Sequence, residues 1–218
     1  MRKHSTTLLG LALVLFATAP ALIHWAPYES TMGLVQKIFY YHVPGAILML
    51  VLAMVSGVSA GIYLFKKSPW ADRWAVAAAE QVVLFGAMTF ATGPLWGRKA
   101  WGVWWDWDAR LTSTVVLWLI FQSYLLLRRY GGPGSDRLAA GVAIFGMFNV
   151  PFVYWSVEFW RTLHPKTTVV PSLQPGMRGP FWFCVLAFLG LFTLILAART
   201  RLEQRRAELE ALYLAVED

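Results

Sequence analysis

The sequence carries little charge and almost no cysteine. Of its 218 residues, 14% are Asp, Glu, Lys or Arg, whereas a water-soluble domain has roughly a quarter. The single cysteine, Cys184, lies in an apolar segment, and without a Cys-x-x-Cys pair the sequence argues against disulfide exchange. No basic run accompanies a nucleic-acid-binding motif, so we expect no nucleic-acid partner.

The sequence is rich instead in long apolar segments. Hydrophobic residues make up 58% of the chain and the mean hydropathy is +0.53. This indicates a membrane protein whose helix bundle, residues 1–218, is the only domain. We therefore predict an all-α, polytopic fold with six transmembrane helices and a charged cytoplasmic helix at 199–218. The predicted spans cover about residues 7–23, 44–65, 74–93, 111–127, 138–155 and 181–198.

Prolines and the one ionisable residue inside a span mark local features of these helices. We expect Pro44 in the first turn of the second span, Gly93-Pro94 at the end of the third and a kink at Pro151 in the fifth. Glu80 lies within the third span, about two turns from its cytoplasmic end. An ionisable residue inside a span often indicates function, but the sequence leaves the role of Glu80 open.

The basic residues predict the orientation of the bundle. With a cytoplasmic N-terminus, 12 of the 19 Lys and Arg residues lie on the cytoplasmic side, as the positive-inside rule requires. Both termini are then cytoplasmic, and the loops 24–43, 94–110 and 158–179 lie on the outer, periplasmic face. Seven basic residues run against this trend and call for a functional explanation: Lys37, Arg98, Lys99, Arg110, Arg161, Lys166 and Arg178.

The middle outer loop, residues 94–110, is dominated by tryptophan. Trp side chains give a wide stacking surface with N–H donors at its edge. An aromatic belt at the membrane interface is the alternative, but it explains one or two tryptophans better than five. If residues 101–108 are helical, four side chains share one face: Trp101, Trp104, Trp105 and Asp108. The five tryptophans are Trp96, Trp101, Trp104, Trp105 and Trp107.

Each of the other two outer loops holds a histidine beside aromatic or basic residues. His42 lies in Phe39-Tyr-Tyr-His-Val-Pro44, and His164 lies in Arg161-Thr-Leu-His-Pro165. Neutral imidazole is a common axial ligand of haem iron, although a lone His at a helix end is more often a surface or capping residue. A flat macrocycle on the tryptophans, held by one His from each flanking loop, fits this arrangement, and basic side chains can pair with its two propionates.

The segment WGVWWDWDARLTS, Trp101 to Ser113, resembles the tryptophan-rich WWD segment of the haem-handling proteins of cytochrome c maturation. It is most similar to the haem exporter protein C (CcmC) family, for which the Asp-Ala-Arg-Leu-Thr-Ser ending is typical. The family carries one histidine before its second span and another before its sixth, and His42 and His164 match these positions. The sequence departs from the family at Asp106, usually uncharged, and at Pro165, usually Gln.

This resemblance implies a haem-binding and haem-delivery protein of the bacterial inner membrane, which is not an enzyme. It implies transiently bound haem b at the periplasmic face, passed to a periplasmic haem chaperone of the CcmE type. Further implied partners are the ATPase and permease subunits of an ABC transporter, a small membrane subunit of the CcmD type and membrane lipid. It also favours a retained first helix over a signal peptide, which the start of the chain could imitate.

The resemblance also implies a set of site residues. His42 and His164 are the expected axial ligands of the haem iron. Asp108 is expected to orient a tryptophan N–H, an arginine or the partner protein. The expected haem-contacting residues are Trp96, Trp101, Trp104, Trp105, Trp107, Asp108, Arg110, Arg98 and Arg161.

Other interpretations stay open at this point. A membrane cytochrome b-type electron-transfer subunit also has haem and several helices, but its histidines usually lie within the spans, and its haem would be permanently bound and reducible by quinol. A transporter or channel for another solute needs polar residues at the midplane, where the spans offer little beyond Gln122 and Asn149.

An acid–base pair of Asp106 and Asp108 has no nucleophile or metal site nearby. The tail could dock a cytoplasmic partner.

Overall fold

The computed structural model describes residues 2–166 and 169–217 and consists of six long α-helices. All six are long and apolar enough to cross a membrane, which confirms the predicted all-α, six-span fold. The helices are α1 (Arg2–Trp25), α2 (Phe39–Lys66), α3 (Pro69–Trp101), α4 (Ala109–Tyr130), α5 (Ser135–Phe159) and α6 (Pro175–Glu217), and a 3-10 helix, Leu34–Ile38, precedes α2.

The helices extend beyond the apolar segments, and this corrects three predictions. Helix α3 continues through Gly93-Pro94 to Trp101, so the prediction that this dipeptide ends the third span is wrong. Inside a bilayer the main chain has no water to bond, and a helix therefore tolerates one proline more readily than a break. Helix α2 begins at Phe39, so His42 lies in its first turn and not in a loop, and Pro44 lies beyond that turn.

Small residues let the helices approach closely. A Cβ atom on Gly57 would lie 2.3 Å from the Cβ of Met147, and one on Gly86 would lie 2.3 Å from the Trp118 ring. Trp118 then donates its indole N–H to the carbonyl of Val83, 2.9 Å away. Close approach at small residues is the usual way in which membrane helices gain packing energy, because lipid gives them no hydrophobic drive to associate.

Ion pairs and a hydrogen bond join the helices at one end of the bundle. Arg128 makes a two-point contact with Asp72, at 2.9 and 2.7 Å, which ties α4 to α3. Glu80 on α3 accepts two hydrogen bonds from Arg199 on α6, and Tyr63 donates to Asp136. Glu80, whose role the sequence leaves open, therefore joins α3 to the point where α6 continues as the predicted charged helix.

A separate apolar cluster closes the opposite end of the bundle. It combines the end of α1, the start of α2 and the start of α6 through buried side chains that include Ile23, Tyr40 and Phe181. Phe39 and Phe181 stack with ring centroids 5.3 Å apart. This packing fixes the first turn of α2, and with it the backbone of His42, against α6.

Candidate haem site

Three segments meet at this second end of the bundle: the first turn of α2, residues 102–108 between α3 and α4, and residues 160–166 between α5 and α6. We call residues 102–108 the tryptophan loop and residues 160–166 the His164 segment. Hydrogen bonds join the tryptophan loop to the His164 segment. A positive charge on His164 would act on His42, so the two rings lie within electrostatic range of each other. The structure therefore brings the two predicted ligands to one place.

The tryptophan loop is not helical. Gly102 adopts a left-handed conformation, with φ of 78°, directly after the last residue of α3, and glycine at this position commonly ends a helix. Helix α4 begins only at Ala109. The condition under which Trp101, Trp104, Trp105 and Asp108 would share one face, a helix over residues 101–108, is therefore not met, because α3 ends at Trp101.

The tryptophan loop presents two of its rings to the surroundings. Trp104 is 57% exposed and Trp107 is 71% exposed. Trp105 is half-buried, with its ring centroid 5.6 Å from Trp107 and 6.0 Å from Phe90. The indole nitrogen of Trp105 is buried without a hydrogen-bond partner among the residues that the structure describes. A buried donor without a partner is unusual in a folded protein, and this one lies within the predicted site.

The remaining two tryptophans brace the end of α3. The Trp96 indole N–H donates to the side-chain carbonyl of Gln36, 3.2 Å away, which links α3 to the 3-10 helix before α2. Trp101 packs edge-on against Trp96 with ring centroids 5.7 Å apart. A Cβ atom on Gly97 would lie 2.9 Å from the Trp101 ring, so glycine there leaves room for the indole. These two rings therefore pack together at the end of α3, directly before the tryptophan loop in the sequence.

Asp108 fastens the tryptophan loop to the His164 segment. One carboxylate oxygen caps α4 by accepting from the N–H of Leu111 at 2.8 Å. The other accepts from the N–H of Leu163 at 2.9 Å and from the hydroxyl of Thr162. Thr162 Oγ1 in turn accepts from the N–H of His164 at 3.0 Å. One side chain therefore sets both the start of α4 and the backbone that leads into His164.

The His164 ring is neutral and its Nδ1 is occupied. Nδ1 lies 2.9 Å from the carbonyl of Pro165, and because a carbonyl only accepts, the ring donates Nδ1–H and keeps the lone pair of Nε2. Burial and the positive charge of Arg110 lower the pKa of His164 to about 4. At neutral pH the imidazole is therefore uncharged, the form in which it binds metals. Pro165, the residue that departs from the family pattern, supplies this acceptor.

The His42 ring lies against α3. Its Nδ1 is 2.9 Å from the hydroxyl oxygen of Thr92, and a Cβ atom on Gly93 would lie 3.2 Å from its Cε1. The ring is half-buried, as is that of His164. Arg110 interacts electrostatically with both imidazoles, so the two rings and this guanidinium form one cluster.

Two imidazoles alone do not complete a site for a bare metal ion. Across residues 2–166 and 169–217, no group of three or more His, Cys, Asp and Glu side chains is placed to hold one. A structural zinc ion needs four ligands and a catalytic one at least three from the protein. Haem iron has four equatorial nitrogens from the porphyrin and needs only axial ligands from the protein. The donor set therefore fits haem better than a free ion.

The outer basic residues divide into anchored and exposed groups. Arg110 is half-buried and donates to the carbonyls of Val153 and, at 3.2 Å, Tyr154 on α5. Arg98 is exposed and donates one of its N–H groups to the carbonyl of Gly102. Arg161 is exposed. Lys37 and Arg178 bond backbone carbonyls at 2.6 and 2.8 Å, and Lys166 pairs with Glu158 at 3.5 Å. Arg98 and Arg161 are therefore better placed than Arg110 for a charged ligand.

Sequence reasoning missed the residues that support the two imidazoles. Thr92 precedes the Gly93-Pro94 dipeptide but lies 50 positions from His42, and nothing in its local pattern predicts the contact. Thr162 stands two positions before His164, where a short hydroxyl side chain often bonds nearby backbone, so this residue could have been found. Asp108 is among the predicted site residues, and its position directly before an apolar helix is also that of an N-cap, but the sequence does not predict its bonds to Thr162 and Leu163.

Comparison with known proteins gives a consistent result. The model of the family described as Heme exporter protein C matches residues 1–214. A Heme exporter protein C of Bradyrhizobium diazoefficiens is 36% identical over 211 aligned residues, covering 93% of this chain and 78% of that protein. A Heme exporter protein C of Escherichia coli (strain K12) is 34% identical over 194 aligned residues, covering 84% of this chain and 78% of that protein.

Proposed function

The chain belongs to the Heme exporter protein C family, and from this premise we propose that it holds haem at the outer end of its bundle and delivers it to a periplasmic haem chaperone of the CcmE type. Membership of the family places the protein in the inner membrane and gives it a role in haem export for cytochrome c maturation.

The observation that carries the proposal is the pairing of His42 and His164 at one end of the bundle. The two rings come from separate elements, lie within electrostatic range of each other and have their Nδ1 atoms bonded to oxygen. Each ring would then hold the haem iron through Nε2. The neutral state of His164 supports this role, since a protonated imidazole has no lone pair for a metal.

The surrounding side chains match the rest of the haem. Trp104 and Trp107 expose flat rings, against which a porphyrin can stack. The exposed cations Arg98 and Arg161 can pair with the two propionates. The buried indole N–H of Trp105 is a further donor that lacks a partner within the described part of the chain. We assign Trp96 and Trp101 to the support of this surface and Arg110 to the electrostatics of the imidazoles.

We propose that the cargo is haem b, bound transiently. The single thiol, Cys184, is buried in α6, so covalent attachment to this chain is not part of the proposal. Delivery then consists of exchanging axial ligands between this protein and the chaperone, and no bond within the porphyrin is broken. For this reason we propose that the chain is not an enzyme.

The proposal includes the partners expected of a haem export complex. These are the ATPase and permease subunits of an ABC transporter, a small membrane subunit of the CcmD type and the lipid around the bundle. The exposed tryptophans and the His164 segment lie at the same end, so the chaperone is expected to approach this end. Family membership supports these partners as a group, and the geometry supports the site at which the chaperone would collect its cargo.

A transfer assay tests the function. The purified protein, loaded with haem and freed of excess, is mixed with the purified chaperone in its haem-free form, and the haem content of each is measured after separation. We expect haem to move to the chaperone. Haem that stays bound in the presence of excess chaperone and becomes reduced by a quinol would contradict delivery and favour the cytochrome b-type alternative.

A further inference from the structure

The hydroxyl group of Thr92 has one proton, which it donates to a main-chain carbonyl of its own helix. Thr92 lies on α3, and its Oγ1 is 2.8 Å from the carbonyl oxygen of Met88, one turn earlier. This back-bond from a threonine to the carbonyl four residues before it is common in helices. A hydroxyl donates one hydrogen bond but can accept two. Thr92 Oγ1 is therefore left with acceptor capacity on the side that faces α2.

His42 donates a hydrogen bond to this free acceptor position of Thr92 Oγ1. Its Nδ1 lies 2.9 Å from Thr92 Oγ1, a normal length for an N–H to O hydrogen bond. Because the Thr92 proton is committed to Met88, the imidazole must supply the proton of this bond. The ring therefore carries its hydrogen on Nδ1, and its Nε2 retains the lone pair that a metal requires.

The next residue, Gly93, lets the His42 ring lie close to the backbone of α3. A Cβ atom there would lie 3.2 Å from Cε1 of His42, closer than an ordinary van der Waals contact, so the ring rests almost directly on the backbone of α3. Two consecutive residues of α3 therefore determine the position and the tautomer of the His42 ring. Thr92 sets its tautomer and rotation, and Gly93 leaves the space that it occupies.

His164 reaches the same state by another route. Its Nδ1 is 2.9 Å from the carbonyl of Pro165, a main-chain acceptor that no substitution of a side chain removes. Both candidate ligands therefore donate Nδ1–H to an oxygen. In metal sites this arrangement fixes the tautomer of a ligating histidine and raises the basicity of its other nitrogen.

We propose that Thr92 is a positioning residue, which selects the tautomer of His42 and orients its Nε2 toward the haem iron. This inference rests on the proposed function, because it concerns one of the two proposed ligands. Thr92 itself does not contact the cargo. It acts through His42, and its removal should change the iron–imidazole bond and leave the rest of the bundle intact.

The test compares Thr92→Val with Thr92→Ser. Valine has nearly the shape of threonine and suits an apolar span, but it cannot accept the proton of His42, whereas serine can. Thr89→Val is the matched control, because the Thr89 hydroxyl donates to Phe85 at 2.8 Å on the same helix. Each purified variant is titrated with haem, and the reduction potential of the bound haem is then measured.

We expect Thr92→Val to lower haem affinity by roughly tenfold or more, the usual effect of removing such a partner of a ligating histidine. Its haem should also show a more positive reduction potential, because a less basic imidazole stabilises ferric iron less. Thr92→Ser and Thr89→Val should match the wild type in both measurements. A merely structural role for Thr92 would alter folded yield without shifting the potential of the haem that still binds.

A further variant separates failure of this inference from failure of the proposed function. If His42→Ala binds haem as the wild type does, His42 is not a ligand and the proposed site itself is wrong. If His42→Ala loses haem but Thr92→Val keeps the wild-type affinity and potential, the site stands and the role of Thr92 is refuted.

Discussion

Asp108 accepts a hydrogen bond from the backbone N–H of Leu163 at 2.9 Å and thereby joins the tryptophan loop to the residue that directly precedes His164. The two residues are 55 positions apart in the sequence. Since the other carboxylate oxygen caps α4, the aspartate anchors the His164 segment to a helix end. Its position in the loop therefore has a structural cause that does not depend on direct contact with haem.

Replacing Asp108 with Asn separates its role as the N-cap of α4 from its bonds to the His164 segment. Asparagine is as good an N-cap as aspartate, so α4 should keep its start, but with its one oxygen at the cap its NH2 group cannot accept the bonds from Leu163 and Thr162. Hydrogen bonds to charged groups contribute about 1.5–3 kcal/mol each. We expect haem affinity to fall by about tenfold or more, measured by haem titration of the purified variant.

Asp106→Asn is the matched control for this prediction. Asp106 is exposed and lies two positions earlier in the same loop, so the substitution removes the same charge without touching the His164 segment. Its haem affinity should remain at the wild-type value. Equal losses in both variants would show that loop charge, and not the bond to Leu163, is responsible.

The exposed rings of Trp104 and Trp107 should contribute to haem retention. Aromatic contacts add about 0.5–1.5 kcal/mol beyond area burial. Each Trp→Ala substitution is therefore expected to weaken haem binding about two- to tenfold, with partial recovery in the Trp→Phe variants. Trp25→Ala is the control, since Trp25 is 82% exposed at the same end of the bundle but outside the tryptophan loop. If Trp25→Ala weakens binding as much as the others, a general effect of the membrane interface explains all three.

The ion pair between Glu80 and Arg199 should stabilise the bundle without affecting haem. The two side chains are 30% and 25% exposed. Removal of Arg199 leaves Glu80 partly buried without this ion pair, whereas removal of Glu80 leaves Arg199 with Glu203, 3.1 Å away. We expect Arg199→Ala to destabilise the fold by roughly 1–2 kcal/mol, detected as a lower thermal midpoint in detergent.

A double-variant cycle with Glu80→Ala checks this assignment. The double variant should lose less stability than the sum of the single variants, since residues in direct contact are coupled. Additive losses would mean that the pair contributes nothing. Loss of haem from a folded Arg199→Ala variant would instead point to a link between the two ends of the bundle.

The six spans could be predicted from hydropathy, but the ends of the helices could not. Hydropathy marks the part of a helix that lies in lipid, and the chain can continue as a helix on either side. Helix α3 therefore runs on to Trp101 past Pro94, and α6 runs on to Glu217. For the same reason the sequence predicts His42 in a loop, although it lies in the first turn of α2.

The candidate site could be predicted in its chemistry but not in its geometry. The tryptophans, the two histidines and the basic residues stand out in the sequence, and the family resemblance assigns them to haem. Which side chains support them depends on how helices rotate and pack. The bond from His42 to Thr92 and the bonds from Asp108 to the His164 segment cross 50 and 54 or 55 positions, so no local pattern predicts them.

The most direct test of the central claim is the ferric haem spectrum of the purified protein and of its His42→Ala and His164→Ala variants. If both imidazoles bind one iron, the wild type should show the low-spin spectrum of a bis-histidine haem. Each single variant should lose that spectrum and retain less haem while still inserting in the membrane. An unchanged low-spin spectrum and haem content in either variant would contradict the claim that His42 and His164 share one iron.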